Sequence, residues 1–169
     1  MKKDVLLQSW SILSLNLEGL GVVIYEMIFE QCPEAKLLFP FMKDENEDKR
    51  QNKGFRFQAL RFVQIFESAI QHLDKLENID SILDNLGRRH GRLESSIGFK
   101  QCYWTVFREC ALYKIRMVLA TAKKNTMNLK QIDAVVIQWR RLLESLILKI
   151  EKGYETDLAN RKHSIDGRS

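Results

Sequence analysis

The chain has 169 residues, about one domain's worth, with 45% hydrophobic and 29% charged side chains. That balance excludes a disordered chain, and only 2 prolines and 8 glycines exclude a fold built from many short strands and turns. The net charge of +5 is scattered, as at Arg88-Arg89, Lys123-Lys124, Arg140-Arg141 and Arg161-Lys162, so a solvated surface is expected rather than a nucleic-acid partner.

Apolar spacing of three and four residues recurs through most of the sequence, which predicts an all-α domain. Val5, Leu6, Trp10 and Leu13 follow Asp4, a candidate N-cap, and Gly19 and Gly21 mark a corner or a close helix crossing. Leu20, Ile24, Met27 and Ile28 carry a second helix toward Pro33, which opens a short third piece ended by Pro40. Residues 43–53 hold no apolar side chain and read as a solvent-facing loop or turn. A long helix follows through Phe55, Ala59, Phe62, Phe66, Ala69, Leu73 and Leu76.

Asn78 or Asp80 is positioned to cap the next segment, whose stripe is Ile79, Ile82, Leu83, Leu86 and Leu93, with Gly91 and Gly98 bounding the break after it. A further helix is expected from about Phe99 to Ala122, with Tyr103, Val106, Phe107 and Cys110 on its apolar face. Asn128 and Gln131 have capping-box spacing ahead of a last stripe through Ile132, Val135, Val136, Trp139, Leu142, Leu143, Leu146 and Ile150. The folded domain is expected over 1–152, and 153–169, polar after Gly153, reads as a flexible tail. Seven or eight unequal helices with short connections suit an orthogonally packed α fold rather than a four-helix bundle.

No run of 18 apolar residues exists, so no membrane span is expected, and the start lacks both a continuous apolar leader and a glycine at position 2. Cys32, Cys102 and Cys110 are odd in number and unpaired in spacing, which suits buried thiols in the reducing cytoplasm.

Of three histidines, His72 lies near a helix end and His163 in the tail, whereas His90 falls on the apolar face defined by Leu83 and Leu86. Two readings of His90 stand: a core histidine bonded to a backbone carbonyl, or a metal ligand. Zinc lacks a second His or Cys at ligand spacing. Haem needs only one protein ligand, and without a C-x-x-C-H it would be held noncovalently.

Five landmarks in order resemble the globin family, over nearly the whole chain. They are Gln8-Ser9-Trp10, the passage from Phe29 through Pro33 to Phe39-Pro40-Phe41, the segment Phe55 to Ile70, Leu86-Gly87-Arg88-Arg89-His90, and Trp139. The fourth is similar to the proximal motif of the neuroglobin-like branch. The resemblance implies a globin fold around one haem b. His90 would be the proximal iron ligand, with its second ring nitrogen bonded near Leu86, and Phe39 would pack on the porphyrin. Phe41, Phe62, Leu86 and Phe99 would complete the cofactor pocket. Arg61 would reach a propionate or fold over the opening, and Arg89 or Arg92 would meet the other propionate.

Counting from Pro33 and Phe55, Tyr25 and Gln58 would face the sixth coordination position. Many relatives have histidine where Gln58 stands, and an amide is a poor iron ligand, so bis-histidine closure is not expected. The Tyr–Gln pair is similar to that of nematode haemoglobins and flavohaemoglobins and implies slow release of oxygen. Phe62, where smaller aliphatics are common, would narrow the pocket.

The implied function is reversible binding of oxygen or another diatomic gas at high affinity. The alternative is a redox or gas sensor, or a nitric oxide dioxygenase. That activity would need an external reductase, because the chain has no Gly-rich flavin or nicotinamide motif. A basic patch near His90 would suit an acidic electron donor, and a homodimer is compatible with the sequence. A helical sensor module without haem is a third reading, which predicts no Soret absorbance after incubation with haemin.

Overall fold

The computed structural model describes residues 2–39, 42, 52–123 and 125–166. Six α-helices run through them: α1 Lys3–Leu13, α2 Leu17–Gln31, α3 Lys53–Gln71, α4 Asp80–Ile97, α5 Tyr103–Thr121 and α6 Leu129–Asp166. No strand occurs among the described residues. The count falls below the expected seven or eight because Pro33–Leu38 and Leu76–Ile79 are 3-10 turns rather than α-helices. Of the loop expected at 43–53, residues 43–51 lie outside the described residues, as does the proline stop at Pro40, while Asn52 and Lys53 already cap and open α3.

Local chemistry explains most of the boundaries. Asn16 accepts from the Gly19 N–H and opens α2, so the corner falls at Ser14–Asn16, ahead of the glycines. Gly21 instead lies where α2 crosses α3, since a Cβ there would overlap the Ala59 carbonyl oxygen. Asn52 caps α3 by accepting from the Phe55 N–H at 3.0 Å. That helix stops at Gln71, short of Leu76, where the His72 ring bonds the Ser68 carbonyl at 2.8 Å and its backbone N–H turns back to Ser68 and Ala69. His72 is thus half-buried at a helix end.

The caps expected at Asp4 and at Asn78 or Asp80 are not made: α1 and α4 start after Lys2 and Ile79 without a side-chain cap. Asn128 and Gln131 do form the reciprocal capping box, at 3.0 and 2.8 Å. Gly91 sits inside α4, and Gly98, at φ 77°, ends it in the left-handed conformation that glycine adopts freely. The segment at Phe99–Cys102 precedes α5 rather than opening it.

The largest departure is at the C-terminus. The last helix does not fray at Gly153 but continues to Asp166, with Gly153 and Tyr154 buried. Within that extension Gly153, Tyr154 and Asp157 meet α4.

The core is closed by the first and last helices. Trp139 is fully buried and donates its indole N–H to Ser9 Oγ at 2.9 Å, while Ser9 donates to the Leu6 carbonyl at 2.9 Å. Trp10 stacks beside Trp139 with ring centroids 6.0 Å apart. The segment Lys3–Gln31 is long and apolar enough to match a membrane span by composition. Its apolar residues Leu6, Leu13, Leu20, Ile24 and Ile28 are core residues here, which accounts for that hydropathy. Cys32 and Cys110 are buried and Cys102 is exposed, all three as free thiols.

Candidate functional site

A cavity of about 360 Å³ opens between α2 and α3 on one side and α4, α5 and α6 on the other. Tyr25, Phe39, Gln58, Arg61, Phe62, Leu86, His90 and Phe99 all line it, so eight of the nine residues singled out in the sequence meet at one place. The ninth, Phe41, lies outside the described residues.

On the α2–α3 side the two polar groups meet each other. Gln58 and Phe62, one turn apart, share a helical face, and the Gln58 amide donates to the Tyr25 hydroxyl oxygen at 3.2 Å. Tyr25 is buried at 9% exposure, and burial raises its pKa, so it stays a phenol. Its ring is held edge-on by Phe39 at 5.5 Å and by Phe62 at 5.3 Å. Phe62 in turn reaches Phe107 at 4.5 Å, so this wall is narrow and aromatic apart from the one polar pair.

On the opposite side His90 Nδ1 lies 2.9 Å from the Leu86 carbonyl oxygen. A carbonyl only accepts, so Nδ1 carries the proton. Burial lowers the pKa of His90, which favours the neutral ring and leaves Nε2 with a free lone pair. The ring is wedged between Phe99, at 4.9 Å, and Trp104, at 4.7 Å. Trp104 is buried, and its indole N–H has no partner among the described residues.

At the mouth stand two exposed guanidinium groups. Arg61 on α3 lies over the Phe57 ring at 5.7 Å, and Arg89 is the cavity-lining arginine of α4. Arg92 turns the other way, toward Asp157 at 3.7 Å. Of the two, only Arg89 lines the cavity.

The arrangement fits haem. Among the described residues no three His, Cys, Asp or Glu side chains gather into a metal site. An iron held through His90 would therefore have to bring its remaining ligands with it, as a porphyrin does. The walls are apolar, one imidazole offers a lone pair, and two cations stand at the rim where carboxylates would emerge.

Comparison with known proteins agrees. The globin family model matches residues 22–138. The chain belongs to the globin family. It is 25% identical to a neuroglobin of Tetraodon nigroviridis over 154 residues, covering 90% of this chain and 89% of that one. It is 24% identical to globin-related protein glb-13 of Caenorhabditis elegans over 162 residues, covering 95% of this chain and 54% of that one. A solved structure, the hexacoordinated haem protein of an anhydrobiotic tardigrade, superposes with a TM-score of 0.74 at 25% identity. It covers 90% of this chain and 92% of that one. The protein is thus a haem-binding globin.

Several lining residues of this globin were not singled out from the sequence. Trp104, Leu143, Ile147 and Ile150 also face the cavity. Leu143 and Ile150 belong to the last helix's apolar stripe, and nothing in its period separates residues that pack on other helices from residues that pack on a cofactor. Trp104 lies next to the striped residue Tyr103. It is buried because α5 meets neighbours on more than one side.

Proposed function

We propose that this globin holds a b-type haem through His90 Nε2 and binds oxygen, or a related diatomic gas, with slow release. When bound, haem supplies an iron whose sixth position can take a gas molecule. The chain's own residues supply the rest. The Leu86 carbonyl fixes the His90 tautomer and raises the electron-donating power of the ring. Arg61 and Arg89, both lining the cavity, would pair with the two propionates.

The observation that carries the reading is the Gln58–Tyr25 hydrogen bond. Because Gln58 donates to the tyrosine oxygen, the hydroxyl proton is left for an acceptor inside the cavity. The second amide N–H of Gln58 is available as well. Oxygen held in the cavity would carry partial negative charge, and in a dry pocket each donor would contribute on the order of 1 kcal/mol or more, about fivefold or more in retention. Three free thiols suit a reducing compartment such as the cytoplasm.

A second reading draws on the tardigrade neighbour, which is described as hexacoordinated. An internal sixth ligand would turn this globin toward redox or gas sensing, or toward nitric oxide dioxygenation with an external reductase. Curated relatives include a plant anaerobic nitrite reductase, 34% identical over 92 residues. Against it stands the chemistry of the α2–α3 wall: an amide is a weak iron ligand, and burial keeps Tyr25 protonated.

The visible spectrum of the ferrous, gas-free protein decides. One broad band means five-coordinate iron and gas binding governed by Tyr25 and Gln58. Two sharp bands mean an internal sixth ligand and favour the sensor reading.

A further inference from the structure

The face of α4 turned away from the cavity is built for contact with α6. Gly87 and Gly91 lie one turn apart on it, flanking His90 in sequence. A Cβ at Gly87 would overlap the Ile150 carbonyl oxygen and come within 2.8 Å of the Tyr154 backbone nitrogen. A Cβ at Gly153, on α6, would overlap the Asp84 carbonyl oxygen and lie 2.9 Å from its carbon. At Gly91 it would meet Asp157, with Cβ and Oδ2 both at 2.9 Å. Backbone therefore presses on backbone from both helices, and three glycines on two chain segments are needed for it.

The contact is also fastened beyond its centre. The Tyr154 hydroxyl bonds to the Glu94 carboxylate, and Asp157 holds both Arg92, at 3.7 Å, and Arg161, at 2.7 Å. All of this lies in the part of α6 whose sequence reads as a tail.

We propose that the Gly87–Gly91–Gly153 crossing is a brace that sets the position of His90 against the haem iron. The three glycines, with Tyr154, are positioning residues for the proximal bond. The inference rests on His90 being the iron ligand. Three features of the chain support it. The Leu86 carbonyl that orients the His90 ring is one residue from Gly87. Leu86, His90 and Leu93 face the cavity while Gly87 and Gly91 face α6. The same helix α6 lines the cavity through Leu146, Ile147 and Ile150. Close-packed backbones do not deform smoothly, so a methyl group between them moves α4 as a body, His90 with it.

The test compares the haem-loaded wild type with Gly87→Ala, Gly91→Ala, Tyr154→Phe and, as a control, Ser9→Ala. Gly91→Ala is the gentler steric change because its nearest neighbours, Asp157 Cβ and Oδ2 at 2.9 Å and the Tyr154 carbonyl oxygen at 3.1 Å, stand farther off than the Ile150 carbonyl oxygen does at Gly87. Tyr154→Phe adds no bulk, so the set does not depend on Gly87→Ala folding. Two quantities are read: haem transfer to excess apomyoglobin, and the iron–histidine stretching band just after photolysis of the carbon monoxide complex.

Gly91→Ala is expected to displace the band and speed haem loss about tenfold, within the range that outer-shell changes produce. Tyr154→Phe should move both in a smaller degree. Ser9→Ala should lower the melting temperature and leave the band in place. An unmoved band in Gly91→Ala and Tyr154→Phe, with haem loss no faster than in Ser9→Ala, overturns the brace. Absence of any iron–histidine band in the wild type overturns ligation by His90, and the brace with it.

Discussion

The two walls of the haem cavity are built on opposite terms. The α2–α3 wall is aromatic and carries one polar pair, Tyr25 and Gln58, bonded to each other at 3.2 Å and otherwise unconstrained by the backbone. The α4–α6 wall carries one imidazole tied to the backbone at Leu86 and backed by helices in direct main-chain contact. In the proposed function a gas ligand would come and go on the first wall, where rotatable side chains offer donors without fixing a geometry. The cofactor must stay on the second, and a ring held by its own helix turn costs little further ordering when the metal binds.

That contrast breaks most sharply at His90. His90→Ala removes the only imidazole among the described residues that line the cavity and should weaken haem retention beyond the roughly 10–100-fold that outer-shell changes cost. Added free imidazole should restore the Soret band without restoring the retention rate, because only the tethered ring is positioned. If haem loss were no faster in the variant, the two walls would not differ in kind.

On the other wall the effects are smaller and coupled. Tyr25→Phe should speed oxygen dissociation about tenfold, the loss of one charge-oriented hydrogen bond. Gln58→Leu should fall short of that, since one of its amide protons already serves the tyrosine. Stopped-flow dissociation in both single variants and the double variant gives the coupling, expected in the range of about 0.5–3 kcal/mol for groups in contact. Strict additivity would mean that the pair does not act together on the ligand.

How far the sequence speaks follows from the same contrast. His90 was legible because an imidazole on an apolar helix face stands out, whereas Tyr25 and Gln58 were reached only by counting from Pro33 and Phe55 along the family order. Phe39, Phe62, Leu86 and Phe99 followed from the same alignment. The α4–α6 brace was not legible. Gly153 ahead of polar residues has the signature of a helix stop, yet the structure uses its missing side chain for close approach, and one sequence cannot separate the two uses of glycine. Trp104 was missed for a different reason: periodicity identifies one buried face, and α5 buries Tyr103 and Trp104 side by side. The end of α3 was placed too late because a carbonyl cap by the His72 ring leaves no pattern in hydrophobicity.

Away from the cavity the Ser9–Trp139 bond tests whether fold and site separate. Ser9→Ala leaves a buried indole N–H without a partner, which costs about 1–3 kcal/mol of stability. The melting temperature should fall, and oxygen dissociation should stay at the wild-type rate. A changed dissociation rate would mean that the α1–α6 closure reaches the cavity after all.

The smallest effect belongs to the outer face, where neither wall is involved. Arg140 bonds both Glu109 carboxylate oxygens at 2.8 Å and Arg108 adds a third bond at 2.9 Å. Their hydrogen bonds and charge hold the Glu109 pKa down at about 2, below the ordinary glutamate value. A depressed acid stabilises the folded chain above its unfolded pKa, and that share is lost as pH falls toward the folded value. The window therefore runs from about 4.5 down to about 2. With Glu109 and Arg140 both substantially exposed, water and salt screen the pair, and its worth is under about 1 kcal/mol. Glu109→Gln should flatten the acid limb of a chemical-denaturation profile slightly in that window and leave the iron–histidine band where it is. If acidification there released haem from the wild type but not from the variant, this surface network would be coupled to the cavity, and the separation of the two walls from the outer face would fail.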